Sequence, residues 1–446
     1  MSITFNDRDE FQRKQIAEKA IQLLRANIDV SPMVIDGNWG TGKTEFCHKL
    51  INLMKEQEQE NLIYIDAFRA DHADEPMLTV LAEVIKLLPN ENTKQRFIGK
   101  VLPATRYGLK AIAKAGVAHL LRQDAADVIN DFDKEIQKSA DKAIDSSVEA
   151  MLKDHVKASE SLKNLQDALK EIAAEQPITI FIDELDRCRP DFAVHMLEII
   201  KHTFNVDDVK FVLITNTHQL KASINHCYGS SIDSQRYLDK FIKLTINLPT
   251  FVSDGYTQRN ISLSHYKSLV AKSPSLTNSN LEQNGTIAFV EHIFNLKQFT
   301  LREIETFVRH LELAQALNES TFAANAIYGN QLLSILAVFL HCFEPSISKD
   351  LVNKRLDCRR LVEWFDEKPE SLNSIQGRLK PHQVVLHLVC VDSPFNSEYY
   401  SPKEEKDISL LDQQVDSFFA RGWGRPDKGE SYRVVTNTIN LLNFLN

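Results

Sequence analysis

The chain has 446 residues, of which 43% are hydrophobic and 25% charged, and a formal net charge of −9. That length predicts two to three folding units, and the composition is that of an ordinary soluble globular protein. The acidic balance argues against nucleic-acid binding by overall charge and leaves room only for a local basic patch.

The six cysteines, Cys47, Cys188, Cys227, Cys342, Cys358 and Cys390, are scattered without a C-x-x-C pair. This spacing predicts reduced, buried thiols and neither a disulfide framework nor a zinc site. Met1 to Asp7 carries no basic or apolar leader, so no signal peptide is expected. The longest apolar run, Leu332 to Leu340, is too short to span a bilayer and reads as a buried helix. A cytoplasmic protein without a transmembrane segment is expected.

In chain order, residues 7–27 read as an amphipathic helix with Phe11, Ile16, Ala20, Leu23 and Leu24 near one face. Apolar Met33-Val34-Ile35 then runs into Gly37-Asn38-Trp39-Gly40-Thr41-Gly42-Lys43-Thr44, a strand, a glycine loop and a helix start. G-x-x-x-x-G-K-T is the P-loop spacing. Its glycines let backbone N–H groups approach phosphates, Lys43 can reach the β- and γ-phosphates, and the Thr44 hydroxyl can hold Mg²⁺. Glu45 follows in the first turn of a helix whose positive end faces the same anion. Gly37 through Glu45 are therefore the candidate nucleotide-binding residues.

Leu62 to Asp66 is a second strand, followed by Ala67-Phe68-Arg69 and a loop to Pro76, which opens a helix. Residues 93–123 carry Lys94, Arg96, Lys100, Arg106, Lys110, Lys114 and Arg122 and no acidic residue. A basic amphipathic helix there suits a membrane surface, an anionic partner or nucleic acid, and equally the solvated face of a packed helix. Residues 124–175 continue as charged helical sequence.

Ile178 to Ile182 is an apolar strand that ends in Asp183-Glu184, a Walker B pattern. One carboxylate serves Mg²⁺, and its neighbour can polarise an attacking water. A helix from Asp191 to about Phe204 follows; its His195 and His202 read as structural or exposed. Lys210 to Thr215 is another buried strand, taken as neighbour to the Walker B strand, and Asn216 at its end is placed to sense a γ-phosphate. The same Thr-Asn pair also suits an ordinary turn. Arg236 and Lys240 precede the strand Ile242 to Leu248 and are candidates to reach a nucleotide in trans, or plain surface cations. Strands and helices alternate up to Pro249, which predicts an α/β fold, a parallel sheet with helices on both faces.

Beyond Pro249 the pattern turns helical, at 257–272, at 281–295 and in a helix from Leu301 to Leu311 capped by Thr300. Arg302 lies near the start of that helix, where a lid residue could face the nucleotide. The expected division is 1–250 as the P-loop domain with a helical insertion at about 92–176, 251–345 as a helical lid, and 346–446 as a small C-terminal unit.

With these residues placed, the chain resembles the KAP family of P-loop NTPases, within the class that includes AAA+ and STAND ATPases. Three stretches carry the likeness. They are Gly37 to Thr44 with its internal Trp-Gly, Asp66-Ala67-Phe68-Arg69, and Ile182-Asp183-Glu184-Leu185-Asp186-Arg187-Cys188-Arg189-Pro190. The resemblance covers about residues 5–315. It implies phosphate binding by Lys43, Mg²⁺ binding by Thr44 and Asp183, Glu184 as catalytic base, Asn216 as a first sensor and Arg302 as a candidate second sensor. It also implies ATP hydrolysis coupled to oligomer assembly or to a partner effector, in a family with many bacterial members in anti-phage or anti-plasmid defence. Family members often carry transmembrane helices between the second strand and the Walker B strand; here that place holds the basic and charged stretches instead.

Two other functions compete with the ATPase. One is a nucleotide-bound switch or scaffold with negligible hydrolysis that presents a surface to a partner, although a pure scaffold has no need of Glu184. The other is a nucleic-acid translocase using residues 93–123, against which the acidic charge weighs. A guanine-reading N-K-x-D motif does not occur, which leans towards ATP over GTP.

Overall fold

The computed structural model describes residues 3–57, 60–73, 75–108, 163–202, 204, 206–253, 258–373, 377–419 and 427–445. They divide into two compact units, Met1–Leu248 and Pro249–Asn446.

In the first unit the apolar runs become β1 (Met33–Asp36), β2 (Asn61–Asp66), β3 (Ile178–Asp183), β4 (Val209–Thr215) and β5 (Leu244–Asn247). They form one parallel sheet in the order β2-β3-β4-β1-β5. Side chains alternate across a strand, so β1 to β4 each feed two cores, whereas Thr245 and Asn247 of β5 are exposed. Met33, Ile35, Phe181, Val212 and Ile214 face helices Lys14–Arg25 and Lys43–Lys55. Val34, Ile180, Ile182, Phe211 and Leu213 face helices Pro76–Lys86, 163–175, Pro190–His202 and Thr217–Tyr228. Strands buried on both faces read as continuous apolar runs, and this is why they stood out. The α/β sheet with helices on both faces is as expected, and β4 does pair with the Walker B strand.

Two helix starts differ from the sequence reading. The first helix begins at Lys14, because the Asp9 carboxylate takes the N–H groups of Arg13 and Lys14 at 2.8 and 3.0 Å. Such side-chain acceptors compete with helical backbone bonds, and Gln12 adopts a left-handed φ of 51°. The stretch 257–272 is helical only from Ile261, since Gln258–Asn260 pairs antiparallel with Phe251–Ser253. Asn260 then caps the helix by accepting from the Ser262 N–H. Lys94, Arg96, Lys100 and Arg106 fall on the helix Glu91–Gly108; Lys110, Lys114 and Arg122 lie outside the described residues, as does most of 124–175.

The second unit is helical after that hairpin. The helix Tyr328–Phe343 contains the long apolar run and is buried along nearly its whole length, packed by Glu430–Leu442 and Leu301–Leu317. Thr300 caps the latter in a reciprocal box with Glu303. One core runs from Leu263 to Leu442, across the 345–346 boundary drawn from sequence. The expectation of six reduced thiols is corrected at one pair. Cys358 and Cys390, on helices Cys358–Trp364 and Pro381–Val391, form a disulfide, because the fold stacks two helices that are far apart in sequence. Among the described residues no helix is long and apolar enough to cross a membrane.

Inside this unit the His292 ring stacks on His382 with centroids 3.5 Å apart, and His382 bonds Glu367 at 2.8 Å. Burial, and then the stacked His382, push the His292 imidazole from 6.5 down to about 4. Below pH 6.5 the unfolded chain takes up a proton that the folded unit refuses. The contribution is therefore complete above about pH 6.5 and is lost as pH falls towards about 4. Urea titrations of the protein between pH 7 and 4 should show this loss, and His292→Phe should flatten the dependence.

Candidate functional site

Strand register collects the polar residues on one edge. Asp66 sits opposite Asp183, Asp183 opposite Ile214, and Asp36 opposite Thr215. Three carboxylates and a hydroxyl thus line the C-terminal ends of β1 to β4, the edge outside which open α/β sheets bind ligands.

After β1 the chain turns through Gly40 and Gly42 at φ 72° and 79°, conformations open to glycine without a Cβ clash. A Cβ on Gly37 would meet Thr41 Oγ1 at 2.8 Å. Thr41 Oγ1 donates to the Asn38 carbonyl at 2.8 Å, and Lys43 Nζ curls back to the carbonyls of Gly37 (2.6 Å) and Asn38 (3.1 Å). Burial lowers the Lys43 pKa, against the pull of Asp186, Asp183 and Asp36. From behind, buried Arg13 donates to the Thr41 carbonyl at 2.8 Å; burial pushes its guanidinium down to about 10, so it stays charged at neutral pH. Glu45 pairs with Arg8 (3.0 Å) and Lys49 (2.7 Å), tying the P-loop helix to the preceding segment.

Asp183 is 1% exposed. Burial raises its pKa against donors that favour the charged form: the Thr44 hydroxyl, the Glu184 N–H at 2.8 Å and the Tyr64 hydroxyl at 3.2 Å. Glu184 has a left-handed φ of 59°, uncommon for a residue with a Cβ. Burial raises its carboxyl, and Arg187, with Nη1 3.0 Å from Oε1, opposes that rise.

The rest of this turn reaches the neighbouring loops. Asp186 accepts from the Trp39 indole at 2.6 Å and from the Thr215 hydroxyl at 3.1 Å. Arg189 donates to Asp71, after β2, from its backbone N–H (3.1 Å), from Nε (3.1 Å) and, to the Asp71 carbonyl, from Nη2 (2.8 Å). The P-loop, the Walker B turn, the β2 turn and β4 are thereby laced together.

Asn216 is buried at the end of β4, and its Oδ1 caps the next helix by accepting from the N–H groups of His218 and Gln219. Capping accounts for Oδ1 and leaves the Nδ2 hydrogens for other work. Arg236 is exposed and pairs with Asp233; Lys240 is exposed over the Tyr237 ring. Arg302 is exposed in the first turn of Leu301–Leu317, in the second unit. Sequence reasoning missed Arg13, Tyr64, Asp186 and Arg187 as parts of the site. Asp186 and Arg187 were visible as letters of a motif, but nothing in the sequence names their partners.

These residues fit a nucleotide and its metal. The glycine loop is a cradle that a Cβ would fill, backed by a helix N-terminus. Thr44 and Asp183 offer the hard oxygens that Mg²⁺ takes when phosphates complete its shell. The family model for the KAP family P-loop domain matches residues 13–318. No curated protein matches the chain.

Gly37→Ala puts a methyl 2.8 Å from Thr41 Oγ1 and forces that side chain to shift. Overpacking of this kind costs about 1–3 kcal/mol of stability, so the melting temperature should fall by a few degrees. Triphosphate affinity measured by calorimetry should fall roughly tenfold, about 1.4 kcal/mol, as the loop leaves its phosphate-binding shape.

Proposed function

This chain belongs to the KAP family of P-loop NTPases, and we propose that it is an ATPase whose nucleotide state drives assembly of its own copies or control of a partner effector. The observation that carries this reading is the meeting of both motifs. The Trp39 indole of the P-loop donates to Asp186 of the Walker B turn at 2.6 Å, and Asp183 and Asp186 pull on the charge of Lys43.

In this mechanism the P-loop amides and Lys43 bind the phosphates, Lys43 exchanging its two loop carbonyls for phosphate oxygens. Mg²⁺ held by Thr44 and Asp183 would neutralise charge on the β- and γ-phosphate oxygens. Glu184 orients a water and accepts its proton as the water oxygen bonds to the γ-phosphorus. The bond to the bridging oxygen breaks, and ADP leaves with that electron pair. Asn216, through Nδ2, and Arg302 are proposed γ-phosphate sensors, and Arg236 and Lys240 proposed trans contacts in an oligomer. Cytoplasmic placement and a part in anti-phage or anti-plasmid defence are proposed on the family resemblance alone.

Glu184→Gln tests the reading. Hydrolysis should fall by about 10²–10⁴-fold while ATP stays bound, and light scattering with ATP and Mg²⁺ should show a larger assembly than without. An unchanged mass with nucleotide bound removes the assembly arm and leaves control of a partner. Hydrolysis that persists in this variant removes Glu184 as the base.

A further inference from the structure

The turn after β3 places four charged residues within six positions, Glu184, Asp186, Arg187 and Arg189. Its two flanks are fixed: Asp186 by Trp39 and Thr215, Arg189 by three bonds to Asp71. Between these anchors the Arg187 side chain is one-third exposed, and its guanidinium meets the carboxylate of Glu184 at 3.0 Å. Arg187 also acts on the charge of Lys43, which puts it within electrostatic range of the P-loop lysine. With the backbone pinned, side-chain rotation is the motion open to it.

A partly exposed ion pair between neighbours on one turn is worth little. A guanidinium on a phosphate gains more, because its planar fork makes two parallel charge-assisted bonds. A terminal phosphate arriving beside Lys43 therefore outcompetes Glu184 for Arg187. We propose that Arg187 is a positioning residue for Glu184. It holds that carboxylate in the nucleotide-free protein and moves to the terminal phosphate of a bound triphosphate, which frees Glu184 to orient the attacking water. The water-orienting step rests on the ATPase reading above; the exchange of partners does not. A diphosphate offers no terminal γ-phosphate and leaves the pair closed, so the exchange distinguishes ATP from ADP inside one subunit.

The test uses the full chain as wild type, Arg187→Ala, Arg187→Lys, Glu184→Gln and the double variant Arg187→Ala/Glu184→Gln. Binding of ATP and of ADP with Mg²⁺ is measured by calorimetry, and hydrolysis by single turnover. Arg187→Ala should weaken ATP by about tenfold, the equivalent of one charge-assisted contact, with ADP affinity unchanged. It should also slow the single turnover, and Arg187→Lys should restore part of both. In the Glu184→Gln background Arg187 has no carboxylate to leave, so its removal should cost more ATP affinity there than in the wild type. Equal losses of ATP and ADP affinity, or no loss of ATP affinity, overturn the proposal. A wild type that binds ATP without hydrolysing it overturns the ATPase reading alone, and the ATP-to-ADP comparison still decides Arg187.

Discussion

Crowding of like charge at one edge of the sheet is the constraint from which the rest of the first unit follows. Strand register and the turn after β3 bring Asp36, Asp66, Asp183, Glu184 and Asp186 together, and a set of neighbouring carboxylates resists full ionisation unless donors or cations compensate it. Each acid has its own answer. Asp36 takes the N–H and hydroxyl of Thr217, Asp66 the N–H of Arg69, and Asp183 the bonds from Glu184 and Tyr64. Asp186 takes Trp39 and Thr215, and Glu184 takes Arg187. The donors come from every loop around the edge, so solving the charge problem also fixes the loops to one another. What the edge still favours is positive charge, and a metal ion accompanied by phosphates suits it.

The support behind the P-loop obeys the same logic from the opposite side. Its carbonyls need donors of their own. Lys43 meets two of them, the Asn38 carbonyl takes the Thr41 hydroxyl as well, and buried Arg13 meets that of Thr41. The segment before the first helix is held by Arg8 to Glu45 and by Lys49 to the Arg8 carbonyl. A stretch that reads as the ragged start of a helix is instead a strap across the back of the loop.

Legibility in the sequence tracked the range of the interaction responsible. The P-loop, the Walker B strand, Pro76 at a helix start and the Thr300 cap depend on neighbours within a few positions, and all were readable. The doubly buried strands announced themselves by apolar runs. What stayed hidden depends on partners that only the fold supplies: Trp39 with Asp186, Arg13 with Thr41, Cys358 with Cys390, and the β6–β7 pair of Phe251–Ser253 and Gln258–Asn260. Arg187 is the instructive exception. Its partner is three residues away, yet at that spacing a glutamate and an arginine read as an ordinary surface pair, and only the left-handed backbone at Glu184 and the burial around it give the contact meaning.

The pairing of β2 with β3 has a consequence for how such a chain can change. Six register pairs, Asn61 with Ile178 through Asp66 with Asp183, join strands whose connection runs through residues 67–177. Once a connection is that long, the entropy lost on closing it grows only with the logarithm of its length, roughly 0.6 kcal/mol for each doubling. The sheet is therefore almost indifferent to how much chain is grafted there. Inserts of quite different size and chemistry can be exchanged at this position while the strand edge beside it keeps its register, which makes the β2–β3 crossover the natural place for such a protein to diversify.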